Sequence, residues 1–183
     1  MVVAEYTGPY PQDDMFFPGA DENASAVATM LEVARMWREQ GFDPKRTVVF
    51  VALDASGGRH FVNNPNLPTS SGDTWTVLTL DGLAAGGDRL SIQEQGFGLA
   101  HTFEDSARRF GVRTEQMEDW RFFFVNYGAT YSRQHDGYSG LAVSRLGDEL
   151  SGTSEDTLDR LEPQLLWEAG QAISHYLMFL ANR

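Results

Sequence analysis

The chain has 183 residues, which fits one domain because domains commonly hold about 100 to 200 residues. Its 26 acidic side chains outnumber its 14 lysines and arginines, and the net charge of −12 argues against nucleic acid or an anionic membrane as a partner. The absence of cysteine excludes disulfides, thiolate zinc ligands and cysteine nucleophiles. We therefore expect a single acidic domain over residues 1–183. Its opening Met-Val-Val-Ala resembles a strand already in progress and predicts that a longer natural chain precedes it.

Short apolar runs alternate with segments of helical spacing. In chain order they predict a strand over 2–6, a helix ending near 40, strands over 47–53, 75–80 and 89–92, a helix over 103–110, a strand over 141–146 and a helix over 163–180. Asn23 or Ser25 is expected to cap the first helix through its side chain. The run 47–53 is continuously apolar and predicts a strand buried on both faces. The alternation predicts an α/β domain in which helices cover a mostly parallel sheet.

Each predicted helix carries an apolar stripe that should face the sheet. The expected buried residues are Val27, Met30, Leu31, Ala34 and Trp37 in the first helix, Phe103, Ala107 and Phe110 in the second, and Leu166, Ala169, Ile173, Tyr176, Leu177 and Leu180 in the last. Sites in open α/β sheets lie at the carboxyl ends of the strands. This rule directs attention to residues 5–8, 54–58 and 81–82.

Four stretches in order resemble the di-zinc aminopeptidases of peptidase family M28. They are PGADENAS at 18–25, similar to the family's PGADDNASG turn, KRTVVFVALD at 45–54 with RHF at 59–61, LTLD at 78–81, and SEDTLDRLEP at 154–163. The resemblance implies a three-layer α/β/α domain around a mixed, mostly parallel sheet, without the family's first strands. It also implies an extracytoplasmic or membrane-anchored setting.

The resemblance places the family's zinc ligands on residues that differ from them. Glu5 stands where the family has its first histidine, and Glu22 replaces the aspartate that bridges the two metals. The two consecutive glutamates that should follow Asp54, one of them the general base, are absent, so no catalytic residue is assigned. Asp81 keeps the fourth position, while Ser151-Gly-Thr occupies the place of the last histidine. We therefore expect that the zinc site is lost and that no cofactor is bound.

The acids at the strand ends leave an alternative. Glu5, Glu22 and Asp81, with Asp21, can form an oxygen-only cluster, which favours calcium, magnesium or manganese over zinc. A simpler interpretation is that these are solvated acids in a strongly acidic protein, and we favour it.

The other candidate residues are expected to line the former substrate pocket. They are Asp54, Arg133 and His135. When the resembling stretches are aligned on Gly140, Arg133 falls at the position of a family histidine, and His135 is interpreted as a displaced remnant of that histidine. The remaining histidines, His60, His101 and His175, are interpreted as surface or core residues.

Three functions remain open from the sequence. The first, which we favour, is a non-catalytic domain with a structural or protein-binding role, for which the aromatic stretch 120–127 is either a partner surface or, more simply, a core strand. The second is a metallopeptidase or other hydrolase with a rearranged acidic metal site. The third is a metal-free module that binds a small ligand or peptide in the old cleft. A protein or peptide partner is expected and nucleic acid is not, while the oligomeric state is left open.

Overall fold

The computed structural model describes residues 1–6, 16–54, 74–95, 98–117 and 139–183. Within them lie six strands and three long helices. The strands are β1 Val2–Glu5, β2 Phe50–Leu53, β3 Thr76–Leu80, β4 Arg89–Gln95, β5 Arg113–Gln116 and β6 Ser139–Ser144, and the helices are α1 Ala26–Glu39, α2 Leu99–Arg108 and α3 Pro163–Ala181. A π-type turn, Ala20–Ser25, precedes α1, and a 3-10 turn, Leu158–Arg160, precedes α3.

The six strands form one mixed sheet in the order β2-β1-β3-β6-β4-β5. Four neighbouring pairs are parallel, and only the pair of β4 with β6 is antiparallel. The predicted α/β class with a mostly parallel sheet is thereby confirmed. The parallel register aligns the ends of β1 and β2, where Glu5 lies opposite Leu53, so their carboxyl ends meet at one edge of the sheet.

The three described helices cover one face of the sheet. Their buried side chains form a single core with alternate residues of the strands, such as Val2 and Ala4 of β1 and Leu78 and Leu80 of β3. The intervening residues, including Val3 and Val77, form a second, smaller cluster on the opposite face. The described residues therefore show a sheet layer and one helix layer. No helix in these ranges is both long enough and apolar enough to cross a bilayer.

The buried stripes are largely as predicted. Five of the six stripe residues of α3 are buried, and Leu166 packs against the core while half-buried. In α1 the prediction for Leu31 is wrong, because this side chain is 59% exposed. The buried stripe of α1 consists of Ala26, Met30, Val33 and Trp37. Val33, and not the predicted Leu31, therefore faces the core. Phe110 is also an exception, since it lies beyond the end of α2 and is 40% exposed.

The strand predictions need two corrections. Only residues 50–53 of the apolar run form a strand, and Ala52 is exposed, so the prediction of burial on both faces is wrong. Among the described residues, β2 lies at the end of the strand order, next to β1. β5 was not predicted, because its sequence Arg-Thr-Glu-Gln contains no apolar residue to reveal a strand period.

The turn before α1 uses its polar side chains differently from our expectation. Neither Asn23 nor Ser25 caps α1, so the predicted capping is wrong. The Asn23 side chain instead reaches the end of β3, where its Nδ2 donates to the carbonyl of Leu80 at 3.2 Å and its Oδ1 accepts from the amide of Gly82 at 3.0 Å. The Ser25 hydroxyl likewise accepts from the amide of Leu83 at 2.9 Å. These buried bonds attach the turn to the strand end.

Replacing Asn23 with alanine should destabilise the protein by about 2 kcal/mol, because it removes two buried hydrogen bonds and takes the side-chain acceptor away from the buried Gly82 amide. Urea unfolding monitored by circular dichroism measures the change. Asn182→Ala is the matched control, because the Asn182 amide donates to a helix carbonyl at an exposed position. Equal losses in the two variants would contradict the role assigned to Asn23.

Candidate functional site

Three segments meet at the carboxyl ends of the parallel strands. β1 ends at Glu5, β3 is followed at once by Asp81, and the turn Ala20–Ser25 contributes Asp21 and Glu22. A fourth contribution comes from the segment after β6, where Ser151 contacts the turn. Acidic side chains from separate parts of the sequence thus act on one another at this edge of the sheet, a region that we call the acidic cleft.

Asp156 fixes the position of the turn. Its side chain is buried, and its two carboxylate oxygens accept hydrogen bonds from the backbone amides of Asp21, at 2.7 Å, and Glu22, at 3.0 Å. The turn is also bonded to the segment that follows β3, because Asp21 Oδ1 accepts from the amide of Ala84 at 2.7 Å. The buried carboxylates of this region are therefore satisfied by backbone donors, which is the arrangement that makes their burial tolerable.

Gly82 permits the close approach of the turn to β3. Its φ of +38° lies in the region that side chains disfavour, and a Cβ built on it would meet the Asp21 carboxylate oxygen at 3.1 Å. A larger residue at this position would push the turn away from the strand end. The geometry of the acidic cleft consequently depends on a glycine directly after Asp81.

The carboxylates of the cleft influence one another. Burial, followed by the charges of Glu22, Asp21 and Glu5, raises the pKa of Asp81 to about 7. The pKa of Asp21 is also raised, chiefly by burial, although the hydrogen bond from Ala84 opposes the shift. The charges of Glu5, Glu22 and Asp21 therefore all act on Asp81.

Glu22 has a hydrogen-bond partner that bears on metal binding. Its Oε2 accepts from the hydroxyl of Ser151 at 2.6 Å, so a neutral donor lies against this carboxylate. In the described part of the chain, no three histidine, aspartate or glutamate side chains are arranged to hold a metal ion. A zinc pair requires several ligands around two closely spaced ions. The residues described here do not fit such a pair.

The predicted pocket residues have different outcomes. Asp54 follows β2, next to the residue that pairs with Glu5, so it lies at the edge of the sheet that carries the cleft. Arg133, His135 and His60 lie outside the described residues, as does the aromatic stretch 120–127, and the predictions for them stay predictions. The metal role of Glu5, Glu22 and Asp81 also stays a prediction.

The two described histidines lie on helices. His101 is on the surface of α2, where its ring nitrogens are 3.8 Å from Glu104 and 3.7 Å from Asp105. His175 is half-buried on α3, and its Nδ1 lies 3.1 Å from the Ser106 hydroxyl. Burial and the charge of Arg109 lower the pKa of His175.

Sequence reasoning missed two residues of the site. Asp156 was noticed only as part of the stretch 154–163, and Ser151 only as the replacement of a histidine. A buried acid cannot be recognised from one sequence, because aspartate is normally exposed. The hydroxyl of Ser151 reaches Glu22 across 129 positions of chain, and no local pattern indicates such a contact.

The sheet order and the helix layer define an α/β domain, and a comparison of sequences identifies the family. The sequence model of peptidase family M28 matches residues 5–177. The chain therefore belongs to peptidase family M28, as the four resembling stretches indicated.

Solved structures show the same fold. BSAP, a zinc aminopeptidase from Bacillus subtilis, superposes with a TM-score of 0.81 at 17% identity, covering 100% of this chain and 46% of the other. LapB from Legionella pneumophila superposes with a TM-score of 0.76 at 18% identity, covering 100% of this chain and 52% of LapB. Nicastrin, a gamma-secretase component, superposes with a TM-score of 0.74 at 12% identity, covering 99% of this chain and 40% of nicastrin. The chain thus spans about half the length of these proteins.

Asp81→Asn should make stability less sensitive to pH. Because the folded-state pKa of Asp81, about 7, lies above the ordinary value of 3.8, the wild type loses stability as the pH rises from the lower value through the higher one. Asparagine does not ionise. As the pH rises from about 5 to about 8, the free energy of unfolding of the variant should therefore increase by about 2 kcal/mol relative to that of the wild type. Urea unfolding in EDTA measures this difference. Asp43→Asn, at an exposed position, should follow the wild type, and a pH-independent effect of Asp81→Asn would contradict the expectation.

Asp156→Asn should lower the free energy of unfolding by about 2 kcal/mol. Two backbone N–H groups each donate to one carboxylate oxygen of Asp156, whereas the asparagine amide offers only one acceptor oxygen. Glu155→Gln removes the same charge from the exposed neighbouring residue and should change stability by less than about 0.5 kcal/mol. Thermal and urea unfolding give both values. If the two variants were equally stable, Asp156 would not be what holds the turn.

Proposed function

We propose that this chain is a non-catalytic domain on the M28 peptidase fold with a structural or protein-binding role. One observation carries the proposal, the 2.6 Å hydrogen bond from the Ser151 hydroxyl to the Glu22 carboxylate. Glu22 stands at the position of the family's metal-bridging aspartate, and Ser151 lies in the segment where the family has its last histidine ligand. A hydroxyl that donates to a carboxylate supplies no metal ligand comparable to a histidine.

The persistence of the scaffold supports the same proposal. Asn23, Gly82 and Asp156 hold the turn to the strand end through bonds to backbone groups, which do not use the side chains that would bind a metal. A fold can therefore outlast its chemistry when the two depend on different residues. The resemblance gives no residue of this chain the role of the general-base glutamate.

The decisive experiment measures zinc and peptidase activity on the same preparation. After incubation with excess zinc and removal of free metal, elemental analysis should find far less than one zinc ion per chain. Aminoacyl-anilides should be cleaved no faster by the wild type than by Asp81→Asn, with or without EDTA. Two retained zinc ions, together with cleavage that EDTA and Asp81→Asn both abolish, would overturn the proposal.

A second candidate, an acidic metal site used by a hydrolase, is favoured by one specific observation. Burial and the carboxylates of Glu22, Asp21 and Glu5 raise the pKa of Asp81, which means that negative charge accumulates around this side chain. A hard divalent cation such as manganese or calcium prefers such oxygen ligands.

Thermal unfolding with added cation separates the two candidates. If the acidic cleft binds manganese, calcium or magnesium, the melting temperature rises with cation concentration, since binding to the folded state alone stabilises it. Asp81→Asn would remove that rise and Asp43→Asn would retain it. We expect no such rise for the wild type.

The proposal includes an extracytoplasmic or membrane-anchored setting, which the family resemblance supports. Fractionation of cells that express the natural full-length protein tests it, and recovery in the cytoplasmic fraction alone would contradict it.

A further inference from the structure

A pocket lies at the edge of the sheet where β1 and β3 begin. It has a volume of about 280 Å³, and its walls come from the start of β1, residues 46–49 before β2, residues 74–76 and the last turn of α3. We call it the base pocket. Because β1, β2 and β3 run parallel, the base pocket and the acidic cleft lie at opposite ends of the same strands. The two sites share no residue.

Much of the lining of the base pocket is apolar. Val2 of β1, Leu78 of β3, and Leu177 and Leu180 of α3 all line it, and all four belong to the buried core. Their packing fixes this part of the wall before any ligand arrives. A volume of about 280 Å³ is at the lower end of the range for small-molecule sites. The apolar part of a ligand is therefore limited to a short chain or a single ring.

The pocket also has a cationic group. Arg46 carries the only charged side chain among the described residues that line the pocket. Its guanidinium lies over the ring of Trp75, with Cζ 4.7 Å from the ring centroid. Within the described part of the chain, the Arg46 side chain makes no hydrogen bond or ion pair. A stacked guanidinium keeps the N–H groups at its edge available, and these match the two oxygens of a carboxylate.

The neighbouring charges do not cancel that of Arg46. Asp43 and Lys45 are both exposed and carry opposite charges, so residues 43–46 retain a single positive charge. The Met1 amino group lines the pocket and donates to the Thr76 carbonyl at 2.7 Å, and burial lowers its pKa to about 6. This amino group is therefore mainly uncharged at pH 7.5. No aspartate or glutamate is among the described lining residues, so the pocket favours an anion.

A second polar group of the pocket lacks a partner. Thr74 lines the pocket and is only 8% exposed, and its hydroxyl makes no hydrogen bond within the described residues. Buried hydroxyls in folded proteins normally have a hydrogen-bond partner. A ligand oxygen in the pocket would supply one, and a carboxylate can accept from a hydroxyl and a guanidinium at the same time.

We propose that the base pocket binds a small monocarboxylate with a short apolar tail, whose carboxylate accepts from Arg46 and Thr74 and whose tail packs against Leu78, Leu177 and Leu180. This ligand site is additional to the structural or protein-binding role proposed above. It does not depend on whether the acidic cleft holds metal, because the two sites have no residue in common.

The test titrates the chain with sodium hexanoate at pH 7.5 in EDTA, at constant ionic strength, and follows binding by NMR. The wild type should bind hexanoate saturably at one site. Arg46→Gln removes the charge of an exposed residue and should weaken binding at least about tenfold. Arg38→Gln makes the same charge change at an exposed position outside the pocket and should bind within about twofold of the wild type.

Thr74→Val tests the second polar contact without changing any charge. Valine has nearly the same shape, and it removes a buried hydroxyl that has no partner, so the variant should be at least as stable as the wild type in urea. It should nevertheless bind hexanoate at least about threefold more weakly. A variant that is less stable, or that binds as well as the wild type, would overturn the proposal.

Two other ligands test the charge preference. Hexanamide has the same length without a charge and should bind at least about tenfold more weakly than hexanoate. Hexylamine has the opposite charge, and the C-terminal end of α3, which borders the pocket, attracts cations. Hexylamine binding as tight as that of hexanoate, equal binding by Arg46→Gln and Arg38→Gln, or no saturable hexanoate binding would each refute the proposal. The titration needs neither metal nor catalysis, so its failure would leave the non-catalytic assignment standing.

Discussion

The carboxylate of Asp156 is the group on which the arrangement of the strand ends depends. It is buried, and a carboxylate removed from water is tolerated only when donors replace the lost hydration. The backbone amides of Asp21 and Glu22 are those donors. If the turn moved away, the Asp156 carboxylate would be left buried without hydrogen-bond donors. Through the bond from Ala84 to Asp21, the same constraint extends to the end of β3. One buried acid thus sets where the other acids of the cleft lie.

The groups that hold the turn are largely distinct from the groups that face each other across the cleft. Asn23, Gly82 and Asp156 bond to backbone or make room for it, whereas Glu22 and Ser151 contact each other through side-chain oxygens. A change in the second set alters the chemistry and leaves the turn in place. This separation gives a physical reason why a domain only 17% identical in sequence to BSAP can retain the same fold.

Much of the fold could be predicted because it depends on local periodicity. The stripe of α3 repeats at helical spacing over five turns, and the strands at 2–5 and 76–80 are apolar runs bounded by polar residues. β5 could not be predicted, since its pairing with β4 is decided by the sheet and its own residues are polar. The position of the acidic cleft followed from the rule for strand ends, but its contacts did not. Capping propensity suggested a local use for Asn23, and tertiary contacts that span more than 50 positions override it.

The buried contacts that hold the turn also fix the first helix. α1 begins at Ala26, directly after the turn that Asp156 and Asn23 hold. Near its other end, Trp37 is anchored in the core against Phe42 and Phe50 and lies within 3.4 Å of the Ser174 hydroxyl on α3. Both ends of α1 are therefore attached to buried groups, and these attachments do not require that the cleft carry out chemistry.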